Sequence, residues 1–598
     1  MSSAESPKSR SSGVCFATGL QEEEKAAVHK RSPKVLEALQ RLNIQADQAP
    51  VIAVLGSGGG LRAHIAYLGV LSEMKELGLL DAVTYLAGVS GSTWALSSLY
   101  TKNGNMEWIE ELKHRYEKSE WDFGESLTKA IRASKEENYS LTDFWAYLIV
   151  SRQIRELQEL KLSSLKEQVE EGVLPYPIFA AIDEDLLADW KKCKNKNSWF
   201  EFTPHHAGYP ALGAYVHITE FGSRFENGKL DTSKPERDLT FLRGLWGSAF
   251  AFVGIKEIKT YVLNYFRNLC EKFNFIKGLV TYSEAPKMEV DKMLLDLVMT
   301  YFTDKDDPSI KDKLCALQQA LGTERDEFGI EMAEIIQNWN ETSPEKKEQF
   351  LDHLLDCFKK TQEDPTAYSL NSFMGQVWDL CVFVNETRKC ISKWQWGTVY
   401  NFLYKHGKIA DEAMCSREFL HLVDAGFAIN SPYPLVLPPA RETHLILSFD
   451  FSDGDPLETI RTTADYCQRH KIPFPEVSED QLKEWAEAPA SCYVLRGKTG
   501  PVVMHFTLFN KDNCGDDIET WRKKYGTLKL SDSYTPDLVT DLLRLSKENV
   551  QKNKINIINE MRKVAGNPGN MACLGDRVHD AQGSQTVEFK KSHNIHKD

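Results

Sequence analysis

No stretch of the 598-residue chain approaches the run of about 18 apolar residues that a membrane-crossing helix requires. Twelve cysteines, spread from Cys15 to Cys573, include no C-x-x-C pair and no ligand-like spacing. That suggests neither a zinc site nor a disulfide framework, and fits reduced thiols. Basic residues are outnumbered, 72 to 86, for a formal net charge of -14, which argues against broad attraction to nucleic acid or anionic lipid. The opening M-S-S-A-E-S-P-K-S-R-S-S-G has no apolar signal core, Met1-Ser2 excludes N-myristoylation, and the closing H-N-I-H-K-D has no prenylation cysteine. Without a secretory route, the sequons at Asn138, Asn340 and Asn385 are expected to stay unglycosylated.

Glycine is sparse except where it clusters. V-I-A-V-L-G-S-G-G-G-L-R-A, Val51 to Ala63, and V-T-Y-L-A-G-V-S-G-S-T-W-A, Val83 to Ala95, each read as an apolar strand, a tight turn and a helix. Strands so close in sequence are expected side by side in one parallel sheet. The first turn offers backbone N–H groups and Arg62; the second offers Ser90. An amide-lined loop beside a serine points to a serine hydrolase.

The rest of the chain is expected to serve these two turns. Residues 1–16 are Ser-rich and polar and are read as unstructured. Leu20 to Ile44 reads as a helix with Val35, Leu39 and Leu42 on one face and Pro33 as a start or kink. Val51 to Leu55 and Val83 to Ala87 read as strands covered on both faces. A helix from Leu61 to Leu77 places Leu61, Ile65 and Leu68 on one side, ends at Gly78, and is followed after the second strand by one from Thr93 to Tyr100.

Between about 103 and 395 the sequence turns glycine-poor and charge-rich, with a helical stretch at Ile154 to Val169 and an acidic, low-glycine region at 303–365 read as a surface insertion. This is read as elaboration on the core, partly a cap. Short apolar runs return at Phe419 to Pro439 and His444 to Ser452. Pro536 to Val564 reads as a polar helix pair with a Leu538, Leu542, Leu545 stripe, and 567–598 as a disordered tail. One catalytic unit is expected over 17–566, with its core at about 45–102 and 396–566. No internal repeat occurs.

G-V-S-G-S, Gly88 to Ser92, matches a nucleophile elbow except that Ser92 replaces the last glycine. A second small-residue serine, Ser248 in W-G-S-A, lacks a comparable preceding strand. G-S-G-G-G-L-R is neither G-x-G-x-x-G, because Arg62 stands at the third glycine, nor a P-loop, so a dinucleotide site is the lesser reading. A loop aimed at a developing oxyanion fits better. Arg62, in the first helical turn, suggests a phosphate-bearing substrate; the plainer alternative is a surface arginine paired with a carboxylate. The base is open: His444 and His470 qualify by chain order, whereas Asp424, in L-V-D-A-G, ends an apolar strand before a small-residue turn. An aspartate becomes a useful base when desolvation raises its pKa from about 3.9; the bland alternative is an aspartate accepting turn amides.

G-S-G-G-G-L-R-A, G-V-S-G-S-T-W, W-F-E-F-T-P-H-H-A-G, F-L-R-G-L-W-G-S-A, W-G-T-V-Y-N-F-L-Y and V-D-A-G-F-A-I-N-S-P-Y-P together resemble, in order over about residues 20–560, the catalytic domain of the cytosolic (group IV) phospholipase A2 family. The resemblance implies an α/β fold, a patatin-like three-layer α/β/α hydrolase core with a large inserted cap region. It implies Ser90 as nucleophile, Asp424 as base, Gly59 and Gly60 as oxyanion-hole amides and Arg62 as phosphate holder. The implied activity is hydrolysis of fatty-acyl esters of glycerophospholipids and lysophospholipids at a membrane surface through an acyl-enzyme, with transacylation when an alcohol replaces water. Neither cofactor nor metal is expected. Many relatives carry a calcium-dependent C2 domain, for which the roughly fifty residues before the glycine loop are too few, so calcium-independent activity is expected. A cytosolic protein peripherally attached to endoplasmic reticulum or nuclear envelope is likewise implied, although a prenylation signal expected in this branch is missing. On the same fold, acyl transfer to lysophospholipid or hydrolysis of a neutral ester as the main activity is the alternative, followed by a non-catalytic lipid-binding scaffold.

Overall fold

In the computed structural model the two apolar runs become β2 and β3 of one sheet. Residues 13–110, 112–117, 123–252, 255–277, 285–322, 327–362, 373–526, 534–566 and 584–587 are described. The chain forms two units, one of residues 1–122, 145–249 and 397–598, the other of 123–144 and 250–396.

The first unit is built on a sheet that, among the described residues, has thirteen strands. In chain order these are β1 (Cys15–Phe16), β2 (Ile52–Gly56), β3 (Tyr85–Gly88), β4 (Tyr176–Asp183), β5 (Trp199–Phe202), β6 (His206–Tyr209) and β7 (Ala214–His217). After a separate hairpin, β8 (Arg224–Glu226) and β9 (Lys229–Thr232), come β10 (Thr398–Tyr400), β11 (Phe419–Asp424), β12 (Leu445–Asp450), β13 (Cys492–Leu495), β14 (Val502–Thr507) and β15 (Ser584–Val587). The main path runs β1-β7-β6-β5-β4-β3-β2-β12-β14-β13-β15. Its centre, β4 to β14, is parallel, and the β5–β7 flank is antiparallel. Every residue of β2, β3 and β4 is buried, which requires cover on both faces and explains why these strands are apolar without alternation.

The chain leaves β2 toward β3 on one side and returns as β12 on the other. The loop after β2 therefore lies at the crevice where ligands bind in such sheets. Beyond that loop runs α2 (Gly60–Glu76), and beyond β3 runs α3 (Gly91–Thr101). Positions 61–74 of α2 are buried all round rather than on one face, because the helix also packs against the helix Pro536–Gly566. A Cβ at Gly69 would lie 2.1 Å from Ser546 Oγ. Gly78, at φ +71°, ends the turn as expected.

Preceding β2, α1 (Glu22–Arg41) is locked down by charge. Arg441 donates to Glu24 Oε1 and Oε2 at 2.8 and 3.0 Å and to Glu201 Oε2 and Oε1 at 2.8 and 2.9 Å, all of them buried. Arg31 donates to the carbonyls of Val83, Gly172, Val173, Leu80 and Asp81. Removing one partner from such a buried set leaves an uncompensated charge and costs about 3–5 kcal/mol.

The second unit is helical, with Ile255–Lys277, Ala285–Thr303, Ser309–Leu321, Glu327–Gln337, Pro344–Gln362 and Phe373–Lys393 as its longer helices. Phe144, Phe266 and Phe383 pack ring to ring at its centre, with centroids 5.2–6.1 Å apart.

Several expectations change. Residues 145–249, expected within the cap, belong to the first unit and supply β4 to β7 to the sheet; their aromatic and charged composition hid strands whose polar groups are satisfied internally. The acidic stretch 303–365 is not merely surface, since Ile310, Leu314, Leu317, Leu351 and Leu354 are buried in the second unit. Ile154 to Val169 is broken: a helix ends at Ile154 and another begins at Lys166. Pro536–Gly566 is one continuous helix rather than a pair. Cys15–Phe16, at the edge of the segment read as unstructured, pairs with β7, and Ser584–Val587, within the expected disordered tail, pairs with β13. The remainder of both segments, 1–12, 567–583 and 588–598, lies outside the described residues.

Candidate active site

Strand register brings the serine and the aspartate together. On β4, pairing with β3 ends at Gly88 opposite Phe179, and two residues further Ala181 pairs with Asp424 of β11. Ser90 lies two residues beyond Gly88. Both side chains therefore reach the same level of the sheet, although 334 positions separate them in sequence.

Ser90 occupies a sharp strand-to-helix turn at φ 54° and ψ -124°, a conformation costly for a residue with a Cβ and held only by its surroundings. Gly91 makes the turn possible: a Cβ there would lie 1.8 Å from Gly60 O. Ser92, the departure from the elbow pattern, donates from Oγ to Ser57 O at 2.6 Å and so ties the serine turn to the glycine loop.

Asp424 is 2% exposed. It accepts a hydrogen bond from Gly426 N–H at 2.8 Å, and the Ser90 side chain lies beside its carboxyl. Burial raises its pKa, the neighbouring Ser90 hydroxyl and the Gly426 N–H oppose the rise, and the net result is about 6. Its own N–H donates to Ser248 Oγ at 3.2 Å, and Ser248 in turn donates to Leu245 O at 2.9 Å. Ser248, the rival serine of the sequence, thus anchors the aspartate's main chain.

In the glycine loop, Ser57 N–H donates to Phe449 O and Gly58 N–H to Asn430 O, both at 3.0 Å. Among the described residues the Gly59 and Gly60 N–H groups have no acceptor. Gly59 has φ +149° and Gly60 φ +56°, backbone conformations that favour glycine, and both donors stand at the start of α2. Asn430 fixes the loop: its Nδ2 donates to Gly58 O at 3.3 Å and to Ser452 Oγ at 3.2 Å. Asn430 stands in a quoted motif without a role of its own, and Ser248 is weighed in the sequence only as a rival nucleophile; their distant partners reveal what they do.

Arg62 is 7% exposed, not a surface arginine, yet it does pair with a carboxylate. Its Nε donates to Phe451 O at 2.6 Å, Nη1 to Tyr525 O at 3.5 Å, and Nη2 lies 3.3 Å from Asp453, which is half-exposed. Nearby Asp450 is buried, and burial raises it to about 7 against hydrogen bonds from Ser452 and Thr459 and the charge of Arg62.

The histidines considered as bases are engaged elsewhere. His444 Nδ1 accepts from Val51 N–H at 3.1 Å, at the end of β2 opposite the glycine loop and about 16 Å away along the strand. His470 Nε2 lies 2.6 Å from Lys194 O.

A family model described as "Lysophospholipase catalytic domain" matches residues 52–139 and 130–259. Cytosolic phospholipase A2 gamma of Mus musculus is 86% identical over 596 residues, covering 98% of this chain and 100% of its own length. The Homo sapiens protein of the same name is 55% identical, covering 93% and 97%. Cytosolic phospholipase A2 zeta of Mus musculus is 31% identical, covering 89% of this chain and 60% of its own. Among solved structures, human GIVD cytosolic phospholipase A2 superposes with a TM-score of 0.60 at 22% identity, covering 92% of this chain and 68% of that one. At that identity the structural likeness shows the fold alone, a mixed α/β core with a central sheet between helices.

Proposed function

The chain belongs to the cytosolic phospholipase A2 family, and from that premise we propose that Ser90 and Asp424 act as a two-residue catalytic centre for hydrolysis of fatty-acyl esters of glycerophospholipids and lysophospholipids. The observation that carries this reading is the placing of Ser90, on its strained turn, beside a buried carboxyl raised to about 6. A base with that pKa is mostly ionised at neutral pH yet accepts a proton far more readily than an ordinary aspartate.

In the proposed route Asp424 takes the Ser90 proton as Ser90 Oγ attacks the ester carbonyl. Gly59 and Gly60 N–H groups receive the oxyanion, and pre-positioned donors of this kind each contribute about 3–4 kcal/mol to the barrier reduction. Arg62 exchanges the half-exposed Asp453 for the substrate phosphate while Phe451 O keeps Nε in place. Asp424 then protonates the departing alcohol, leaving an acyl-Ser90 ester. Water activated by Asp424 releases the fatty acid, and a lysophospholipid hydroxyl in its place gives transacylation.

No step in this route calls on calcium. Among the described residues no helix is long and apolar enough to cross a membrane, and we propose a cytosolic protein that meets its substrate peripherally at intracellular membranes. The test is incubation with phosphatidylcholine and lysophosphatidylcholine vesicles, with and without EGTA, and identification of all products by mass. Fatty acid released equally under both conditions is the expected result. Release that requires calcium, or that survives Ser90→Ala, overturns it.

A further inference from the structure

The motif W-F-E-F-T-P-H-H-A-G places His206 at the start of β6, and the proposed chemistry uses neither of its histidines. His206 pairs in register with His217 of β7, and the two rings lie 4.8 Å apart, tilted by 31°. Glu23, in the first turn of α1, extends its carboxylate to the same point. One donor atom from each of Glu23, His206 and His217 lies within 4.8 Å of the other two.

We propose that Glu23, His206 and His217 form a binding site for a divalent transition-metal ion, zinc(II) fitting best, that fastens the first turn of α1 to the β6–β7 hairpin. Two imidazoles and one carboxylate make a three-ligand set that leaves the fourth tetrahedral position to water. Two nitrogen donors disfavour calcium and magnesium, which prefer oxygen ligands. In a tetrahedral site with bonds of about 2.1 Å the donors stand roughly 3.4 Å apart. The Glu23–His206 separation is 3.7 Å, so small side-chain rotations complete the geometry.

At 3.7 Å, Glu23 and His206 stand too far apart for a direct hydrogen bond. An imidazole binds metal through an unprotonated ring nitrogen, and a metal ion in the site would favour that form of both rings.

The surroundings are rigid. Glu24, the next residue, is fixed by Arg441, which also grips Glu201 of β5. His206 N–H donates to Thr203 Oγ1 at 3.0 Å. His205 faces another way, between Tyr176 and Glu170. The site is three strands from β3, about 14 Å across the ladder, so its role is to hold an edge of the sheet rather than to act on the ester. Cysteine spacing could not reveal it because it contains no cysteine.

The test uses the untagged full-length protein stripped with EDTA, with His593→Asn and His596→Asn in every sample to silence the histidines of the tail. Zinc chloride titrated calorimetrically is expected to bind at one ion per chain, and cobalt(II) in its place to give the visible absorption of a tetrahedral site. Glu23→Gln and His217→Asn should each weaken zinc binding at least 30-fold and remove the zinc-dependent rise in thermal midpoint, while His421→Asn changes neither. Circular dichroism without metal verifies that the variants fold. Absence of saturable binding below 100 µM zinc, or equal binding by the parent and both variants, overturns the proposal.

Discussion

Replacing Asp424 with Asn should make the protein more stable at alkaline pH, by an amount set by the desolvation of the buried carboxyl. The native pKa is raised from 3.8 to about 6, so the neutral form is the one the fold prefers. The resulting stabilisation is complete below the unfolded value and is lost as pH rises through about 6. Above pH 7 the ionised aspartate costs roughly 3 kcal/mol relative to a neutral group at the same place. Asn keeps an oxygen for Gly426 N–H and never ionises.

Between pH 5 and pH 8 the stability gap between the variant and the parent should therefore widen by about 1.4 kcal/mol. For a first unit of roughly 400 residues, 1 kcal/mol moves the thermal midpoint by about 1 °C, so the gap in midpoint should grow by about 1.5 °C. Thermal unfolding of both proteins at the two pH values, followed by near-ultraviolet circular dichroism, reads this directly. A gap independent of pH, or one that narrows as pH rises, refutes the claim that Asp424 is held in a desolvated site. Such an outcome would remove the reason an aspartate can serve as base here.

Three further substitutions probe the supports of the site. Gly91→Ala sets a methyl group against Gly60 O; it should leave the protein folded by circular dichroism yet lower kcat about 100-fold or more, the cost of displacing an oxyanion donor. Ser248→Ala strips the acceptor from the buried Asp424 N–H and should destabilise by about 1–3 kcal/mol, seen as a lower thermal midpoint, while a fluorophosphonate probe still labels Ser90. Arg62→Lys keeps the charge but loses the fork and the Nε bond to Phe451 O. Its kcat/KM should fall about 10-fold or more for a phospholipid, as expected for a charge-assisted contact, and much less for a short neutral ester; equal losses would assign Arg62 a purely structural part.

The parts of this molecule legible in its sequence are those set by local chemistry. Apolar runs ending in glycine gave β2, β3 and the turns after them, and the D-A-G turn marked Asp424 because strand and turn adjoin in sequence. What could not be read depends on distant partners. Ser248 passes for a second nucleophile until Asp424 is seen to lean on it, and Asn430 is an ordinary turn residue until the glycine loop closes on its side chain. The limits of the inserted part were misjudged for a related reason. β5 and β6 carry Glu201 and His206 at positions that would be apolar in an isolated strand, and the groups that justify them, Arg441 and α1, lie elsewhere in the chain. Gly59 and Gly60 were visible as glycines, but which of the loop's amides stay free depends on β12 and Asn430 taking the others.

The central claim is that an aspartate, with no histidine, activates Ser90. It is tested most directly by measuring kcat/KM for fatty-acid release from phosphatidylcholine vesicles, in EGTA, for the parent and for Ser90→Ala, Asp424→Asn, His444→Ala and His470→Ala, each verified as folded. The account predicts losses of at least 1000-fold for the first two variants and less than about threefold for the two histidine variants, on the scale set by known catalytic groups. An active Asp424→Asn protein beside a folded but inactive His444→Ala or His470→Ala protein would contradict it.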